Sequence, residues 1–318
     1  MRTRWLAMVA EMILAVLVVV GLLALGSALP ILGVFVTLVS PVPFVLLRLR
    51  HGFLALVAAL GLTALALFGL FSSRQPVAFL LEFGIPAMLL AEGLHWKRRP
   101  EVIVTGVAAL LTLGGIGVLV FASGEWTQPL QAVSQHVERL LQDTEALSAR
   151  LGLSTEGPVP LYGSVARLRG FMLMAFPSLF FTGSLLTATG YVFAVRVLTR
   201  RWPAQFGGSD PQPFQWELPE FLVWAFIGAG LLYLTGLPWL QGLGLNGLII
   251  LIGLYFLQGL SIAAFLFQRF QLPRLLAAVS VLLLLFQPFL TLVVAGVGLF
   301  DVWFAFRRLS LPKTPGQT

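Results

Sequence analysis

The stretch Pro41-Val42-Pro43-Phe44-Val45-Leu46-Leu47-Arg48-Leu49-Arg50-His51-Gly52 decides the fold class. Two prolines interrupt an apolar run that is otherwise unbroken. Their missing N–H groups and ring clashes bend or unwind a helix. In lipid, the freed backbone groups need neighbouring helices or a polar cavity to satisfy them. Two arginines and a histidine then stop the run, and Gly52 opens the next one. Prolines inside an apolar run with cations at its edge predict a discontinuous membrane helix that ends at a cytoplasmic face.

The rest of the chain agrees with that reading. Among its 318 residues, 58% are hydrophobic and 10% are charged. Soluble domains carry roughly 25% charged residues, so this composition belongs to a polytopic membrane protein. The fold class is therefore all-α, a transmembrane helical bundle of about eight to ten membrane segments at ~20 residues per crossing. The formal net charge of +7 does not imply nucleic-acid binding, because the cations fall in short clusters between apolar runs, where they set orientation. The chain has no cysteine, which excludes disulfides, thiolate catalysis and cysteine-ligated metals.

From the N-terminus, Arg2 and Arg4 precede an apolar run from Trp5 to Ala28 that is longer than a signal-peptide core and reads as a retained first helix. Further runs are Ile31 to Arg48, Phe53 to Phe71, Val77 to His95 and Val102 to Ala122. Residues 126–151 are polar overall but place Leu130, Val133, Val137, Leu140, Leu147 and Leu151 at alternating spacings of three and four, with Thr144 filling the one missing place, the mark of an amphipathic helix. Gly170 to Leu198, Pro219 to Leu237, Leu243 to Phe267 and Leu275 to about Phe306 follow. Gln287-Pro288 interrupts the last, which is either one kinked helix or two arms of a re-entrant hairpin. These runs divide the chain into an N-terminal membrane half (1–122), an extracytoplasmic loop (123–167) and a C-terminal membrane half (168–318).

The cations test this threading. With the N-terminus inside, the clusters at 2–4, 48–50, 97–99, 196–201 and 269–274 put twelve lysines and arginines inside. Arg74, Arg139, Arg150, Arg167 and Arg169 lie outside. That asymmetry follows the positive-inside bias of multi-pass membrane proteins.

Ionisable and amide groups within apolar runs are the candidate site residues, since burying them is costly. Glu82 and the mid-run amides Gln258 and Gln287 join Pro41 and Pro43 as candidates for lining a substrate cavity. Each also has a plainer reading: the carboxylate reaches an interface, and the amides bridge helices. Glu11, Arg48, Arg50 and Asp301 are candidates for helix pairing, and each of Glu11, Glu82, Glu92 and Asp301 either reaches an interface or pairs with an arginine such as Arg48 or Arg50. Gly242, Gly244, Gly247, Gly259 and Ala263 mark close helix approach. His51, His95 and His136 show no ligand spacing, so no metal site is expected. There is no phosphate-binding loop, nucleophile elbow or nucleophile–base pair, so neither catalytic residues nor a cofactor are expected.

Pro41-Val42-Pro43 with Arg48 and Gly52, the segment Tyr255-Phe256-Leu257-Gln258-Gly259-Leu260-Ser261, and Gly298-Leu299-Phe300-Asp301 with Arg307-Arg308 resemble the YybS-like family of bacterial inner-membrane proteins of unknown function. That family is remotely similar to the substrate-binding (S) components of energy-coupling-factor transporters. The resemblance implies a compact helical bundle with a small-molecule pocket opening outward. Two functions are then carried forward. One is capture or translocation of a small molecule or lipid. The alternative is a non-catalytic scaffold whose 126–151 helix docks a partner protein or a second copy. Membrane lipid is an expected partner in either case, and nucleic acid in neither.

Overall fold

The structure is a computed structural model that describes residues 2–28, 39–71, 75–123, 133–135, 137–139, 142–143, 165–199, 216–273, 276, 280, 283–284 and 287–304. All regular structure among them is helical. In lipid no water satisfies the backbone, and a helix meets every internal N–H and C=O within itself. Among the described residues, six helices are long and apolar enough to cross a membrane, and two shorter apolar ones accompany them. The protein is an all-α polytopic membrane protein. Large apolar side chains such as Leu54, Trp5 and Leu65 are two-thirds exposed or more, as side chains facing acyl chains are.

The chain forms two compact units, residues 1–209 and 210–318. The first contains α1 (Arg2–Ala28), α2 (Val42–His51), α3 (Phe53–Leu70), α4 (Gln75–Phe79), a π-helical turn (Leu80–Gly84), α5 (Ile85–His95), α6 (Pro100–Ser123) and α7 (Val165–Thr199). Helix α7, placed by the sequence reading at the head of the C-terminal half, packs along α6 in this unit. Its core is built from Val19, Phe44, Val45, Leu56, Leu90, Val104 and Val192.

At the opening stretch, Val39 is helical, Ser40 and Pro41 form a turn, and α2 resumes at Val42. The Pro41 carbonyl accepts the first helical hydrogen bond, from Val45 N–H, at 3.1 Å. Pro43 sits in the first turn, where a helix has no partner for its N–H groups, so its missing donor costs nothing there. The break falls between Val39 and Val42, and the prolines start α2. Residues 29–38 of this run lie outside the described residues. Gly52 then joins α2 to α3 at φ +92°, ψ −179°, a conformation essentially restricted to glycine.

Most of the 126–151 segment lies outside the described residues. Residues 133–135, 137–139 and 142–143 are helical. Val137 of the apolar seam is buried within the chain, while Arg139, Gln142 and Asp143 are exposed.

The second unit contains α8 (Leu222–Leu234), α9 (Pro238–Arg269) and α10 (Pro288–Phe304), preceded by an extended segment, Trp216 to Pro219. Helix α9 begins five residues before the expected Leu243. Gly236 at φ +72° turns the chain, and Pro238 occupies the first turn of α9, where its fixed φ suits a helix start.

The Gln287-Pro288 interruption is a kink. Helical bonds run on both sides of it, Gln287 N–H to Leu283 C=O at 2.9 Å and Thr291 N–H to Gln287 C=O at 3.0 Å. Pro288 has no N–H for the Leu284 carbonyl, and the Thr291 hydroxyl donates to that carbonyl instead, at 2.6 Å. A reversal of the chain would not keep this bonding pattern.

Candidate functional site

Three polar clusters lie among the described residues, two in the first unit and one in the second. The first closes the end of α2, whose last turn carries Arg48, Arg50 and His51. Arg48 donates to both oxygens of Glu92 on α5, Nε to Oε1 and Nη2 to Oε2, the latter at 3.3 Å. Arg50 Nη1 lies 3.2 Å and His51 Nε2 3.0 Å from Glu11 Oε2 on α1. One carboxylate from each neighbouring helix thus meets the cations of α2, which also complement the negative end of that helix. The structure brings Glu11 together with Arg50 and pairs Arg48 with Glu92. This cluster ties α1, α2 and α5 together.

The second cluster surrounds Glu82. Pro86 lies four residues after it, so the Glu82 carbonyl has no N–H in the usual place and faces the proline ring. The chain answers with a wider turn, in which Ile85 N–H reaches back five residues to the Leu80 carbonyl. π turns of this kind arise where a helix is interrupted and frequently mark functional sites. The turn is seated on α6 at Gly114, and the neighbouring Gly115 makes room for α7. A Cβ on Gly114 would lie 2.7 Å from the Leu81 carbonyl oxygen, and one on Gly115 would overlap the Phe180 ring of α7. Glu82 itself is half-buried, within the spanning segment Gln75–His95. It makes no ion pair or side-chain hydrogen bond among the described residues. The buried Tyr191 of α7 is within its electrostatic range. Pro41 and Pro43 start α2, whose Phe44 ring packs 6.0 Å from that of Phe79, the residue before the π turn.

The third cluster is centred on Gln258, which is buried on α9. Its Nε2 donates to Asp301 Oδ2 on α10 at 3.2 Å, and its Oε1 accepts from Leu218 N–H at 3.3 Å. One turn on, Ser261 Oγ accepts from Trp216 N–H at 3.2 Å. The two amide contacts lash the extended segment 216–219 onto α9. On either side of Gln258 the helices meet backbone to backbone. A Cβ on Gly259 would overlap the Val294 carbonyl, and one on Gly298 the Tyr255 carbonyl. Gly244 meets α8 in the same way, with a Cβ there 2.7 Å from the Ala229 carbonyl oxygen. Gln258 and Asp301 are therefore brought together. Gln287 is exposed at the proline kink. A shallow concavity of about 350 Å³ on α10, lined by Val293, Gly296, Val297, Phe300 and Phe304, is wholly apolar and suits contact with acyl chains.

Sequence reasoning missed the π turn, although Pro86 four residues after a carboxylate was its signal. It also missed the 216–219 contacts, for which no local signal exists. The described residues hold no group of three or more His, Cys, Asp or Glu able to hold a metal ion.

Apolar helices of spanning length, polar groups gathered inside the packing and large apolar side chains turned outward define a multi-pass integral membrane protein. The chain belongs to the family described as predicted membrane protein (DUF2232), whose model matches residues 13–302. No curated protein and no solved structure matches it.

Proposed function

We propose that this protein captures a small molecule or lipid in the bacterial cytoplasmic membrane and passes it across, without a catalytic step. Glu82 is the residue that meets the substrate. The observation that supports this reading is the Glu82 turn itself. A carboxylate within a spanning segment, unpaired among the described residues in a helix interrupted by a π turn and a proline, has no structural duty that a leucine would not serve better. Such residues take a proton or a cationic or hydrogen-bonding group of a ligand. Interrupted helices near the middle of the membrane are where secondary transporters place their substrates. The resemblance to the YybS-like family, and through it to substrate-binding components, points the same way. It would make a partner chain the source of energy.

Native mass spectrometry of the purified protein in mild detergent tests this reading. The wild type should retain a small molecule or lipid that Glu82→Gln releases, with the melting temperature unchanged. Retention of the same adduct by Glu82→Gln would remove Glu82 from the site. A wild type that carries no adduct would count against capture altogether.

A further inference from the structure

The turn between α5 and α6 carries a cluster of cations that no carboxylate among the described residues pairs. Trp96 ends α5, donating to the Glu92 carbonyl at 2.9 Å. Lys97 N–H then returns to the Leu94 carbonyl at 3.1 Å and Arg98 N–H to the Gly93 carbonyl at 3.0 Å. This double closure is the Schellman arrangement, whose left-handed position is usually glycine. Here it is Lys97, at φ +52°. Arg99 starts the next helix, its carbonyl accepting from Val102 and Ile103 N–H at 3.1 and 3.2 Å. Backbone bonds thus fix every residue of the turn, and a lysine is kept where glycine would fit with less strain.

The side chains of Trp96, Lys97, Arg98 and Arg99 are all exposed. The Arg98 guanidinium lies 5.9 Å over the Trp96 ring. None of the three cations takes part in an ion pair among the described residues, and Glu101, just beyond them, pairs with none of them. The contrast with the neighbouring cluster is direct. Arg48 and Arg50 sit at the same end of the unit, one turn from Trp96 through Glu92, and each has its carboxylate. Of these two clusters, only the turn has cations without a carboxylate among the described residues.

We infer that the turn 96–99 is a binding site for the headgroup of an anionic phospholipid, whose phosphate Lys97, Arg98 and Arg99 hold beside the Trp96 ring. The site lies between the ends of two spanning segments, Gln75–His95 and Pro100–Phe121, where headgroups are found. Two guanidinium groups suit a phosphate because their paired N–H groups match its oxygens. A tryptophan at the headgroup level keeps its apolar ring towards the acyl chains. Clusters of cations next to a spanning helix favour anionic over neutral lipid.

The test reconstitutes the full-length protein in nanodiscs of phosphatidylcholine doped with phosphatidylglycerol, then counts the lipids retained on release by native mass spectrometry. The wild type should retain phosphatidylglycerol in preference to phosphatidylcholine. The triple variant Lys97→Gln, Arg98→Gln, Arg99→Gln should lower that preference by about ten-fold or more, since each cation near an anionic surface strengthens binding several-fold. Salt makes the same test on the wild type alone. Raising the ionic strength should cut retention of phosphatidylglycerol and leave phosphatidylcholine unchanged. Equal retention of the two lipids by the wild type would overturn the inference and leave an acidic protein segment as the occupant. A preference that survives in the folded triple variant would overturn it as well. Glu82→Gln should leave the preference intact, which separates this site from the capture site.

Discussion

Helices α2 and α10 are each anchored inside their units, by opposite means. Helix α2 is only ten residues long and is held by charge, with Arg48 on Glu92 and with Arg50 and His51 on Glu11. Helix α10 is held where side chains are missing. Gly298 lets the Tyr255 carbonyl in, Gly259 lets the Val294 carbonyl in, and Gln258 bonds Asp301 between them. In lipid, side chains gain nothing by leaving acyl chains for one another. Helices associate through close packing and polar contact. A short helix at the membrane edge has water nearby and can use full charges. An apolar helix such as α10, which turns large side chains outward and lays its glycines against α9, does better with close backbone contact and a neutral amide. Both modes hold helices together, but they should fail differently.

The largest effect is expected where no side chain can be admitted. Gly298→Leu would force a branched side chain into the Tyr255 backbone, which cannot move without displacing α9. Overpacking a filled core typically costs ~1–3 kcal/mol and more when backbone is in the way. The second unit should lose its cooperative thermal transition in detergent. A variant that melts like the wild type would mean that α9 and α10 can separate freely, and the glycine mode would be refuted. Gly230→Leu, at a position with open space around it, is the control that should be tolerated.

Next comes the charge mode at its most buried pair. The Arg48 and Glu92 side chains are 13% and 20% exposed. Arg48→Ala should destabilise by about 3 kcal/mol, because it leaves Glu92 without its partner in a poorly hydrated place. The double variant Arg48→Met, Glu92→Leu should recover most of that loss, since apolar groups can replace a buried pair. Recovery in the double variant and none for Gly298→Leu paired with any trimming of Tyr255 is the signature that separates the modes. A side chain can be traded, whereas a carbonyl cannot.

The polar component of the α10 anchor is smaller. Gln258→Leu removes the acceptor of Leu218 N–H and one donor to Asp301. Stranded groups of this kind cost about 1–3 kcal/mol each when buried, and less where water or another group can reach them. A loss of roughly 1–2 kcal/mol in melting-derived stability is expected, with faster proteolysis near Trp216 as the extended segment comes loose. Unchanged proteolysis would show that the other contacts of the segment, the Ser261 bond among them, hold it without Gln258.

What could be read from the sequence follows the same division. Charges are rare in this chain, so Glu11, Arg48, Arg50 and Asp301 stood out, and the partners of α2 could be named as a short set of alternatives. Which carboxylate meets which arginine depends on how helices 39 to 44 residues apart are arranged, and no local spacing encodes that. Glycine spacing pointed to close approach at 244, 247 and 259, and the structure gives each a neighbouring helix. The reciprocal glycine, Gly298, had been noticed only as part of a resemblance. The π turn at Glu82 was legible in principle, because Pro86 disables one helical bond four residues back. The prolines at 41 and 43 carry the same kind of signal, and there they start α2. The contacts of Trp216 and Leu218 with α9 are tertiary throughout.

The smallest effect should come from Glu11→Gln, and its size tests whether burial sets the strength of the charge mode. Glu11 faces Arg50 and His51 with side chains 37%, 27% and 19% exposed, more open than Arg48 and Glu92. Exposed ion pairs are screened and contribute about 0–1 kcal/mol, and an amide keeps one of the hydrogen bonds. Glu11→Gln should therefore lower stability by less than about 1 kcal/mol. Raising the salt concentration should shrink the difference from wild type further, because an open pair is already partly screened by ions. The same salt series on Arg48→Ala should change its deficit little, since ions reach a covered pair poorly. If Glu11→Gln proves as damaging as Arg48→Ala, and equally insensitive to salt, then α1 is held as tightly as α5. The end of α2 would then be a single buried network and not one covered pair beside an open one.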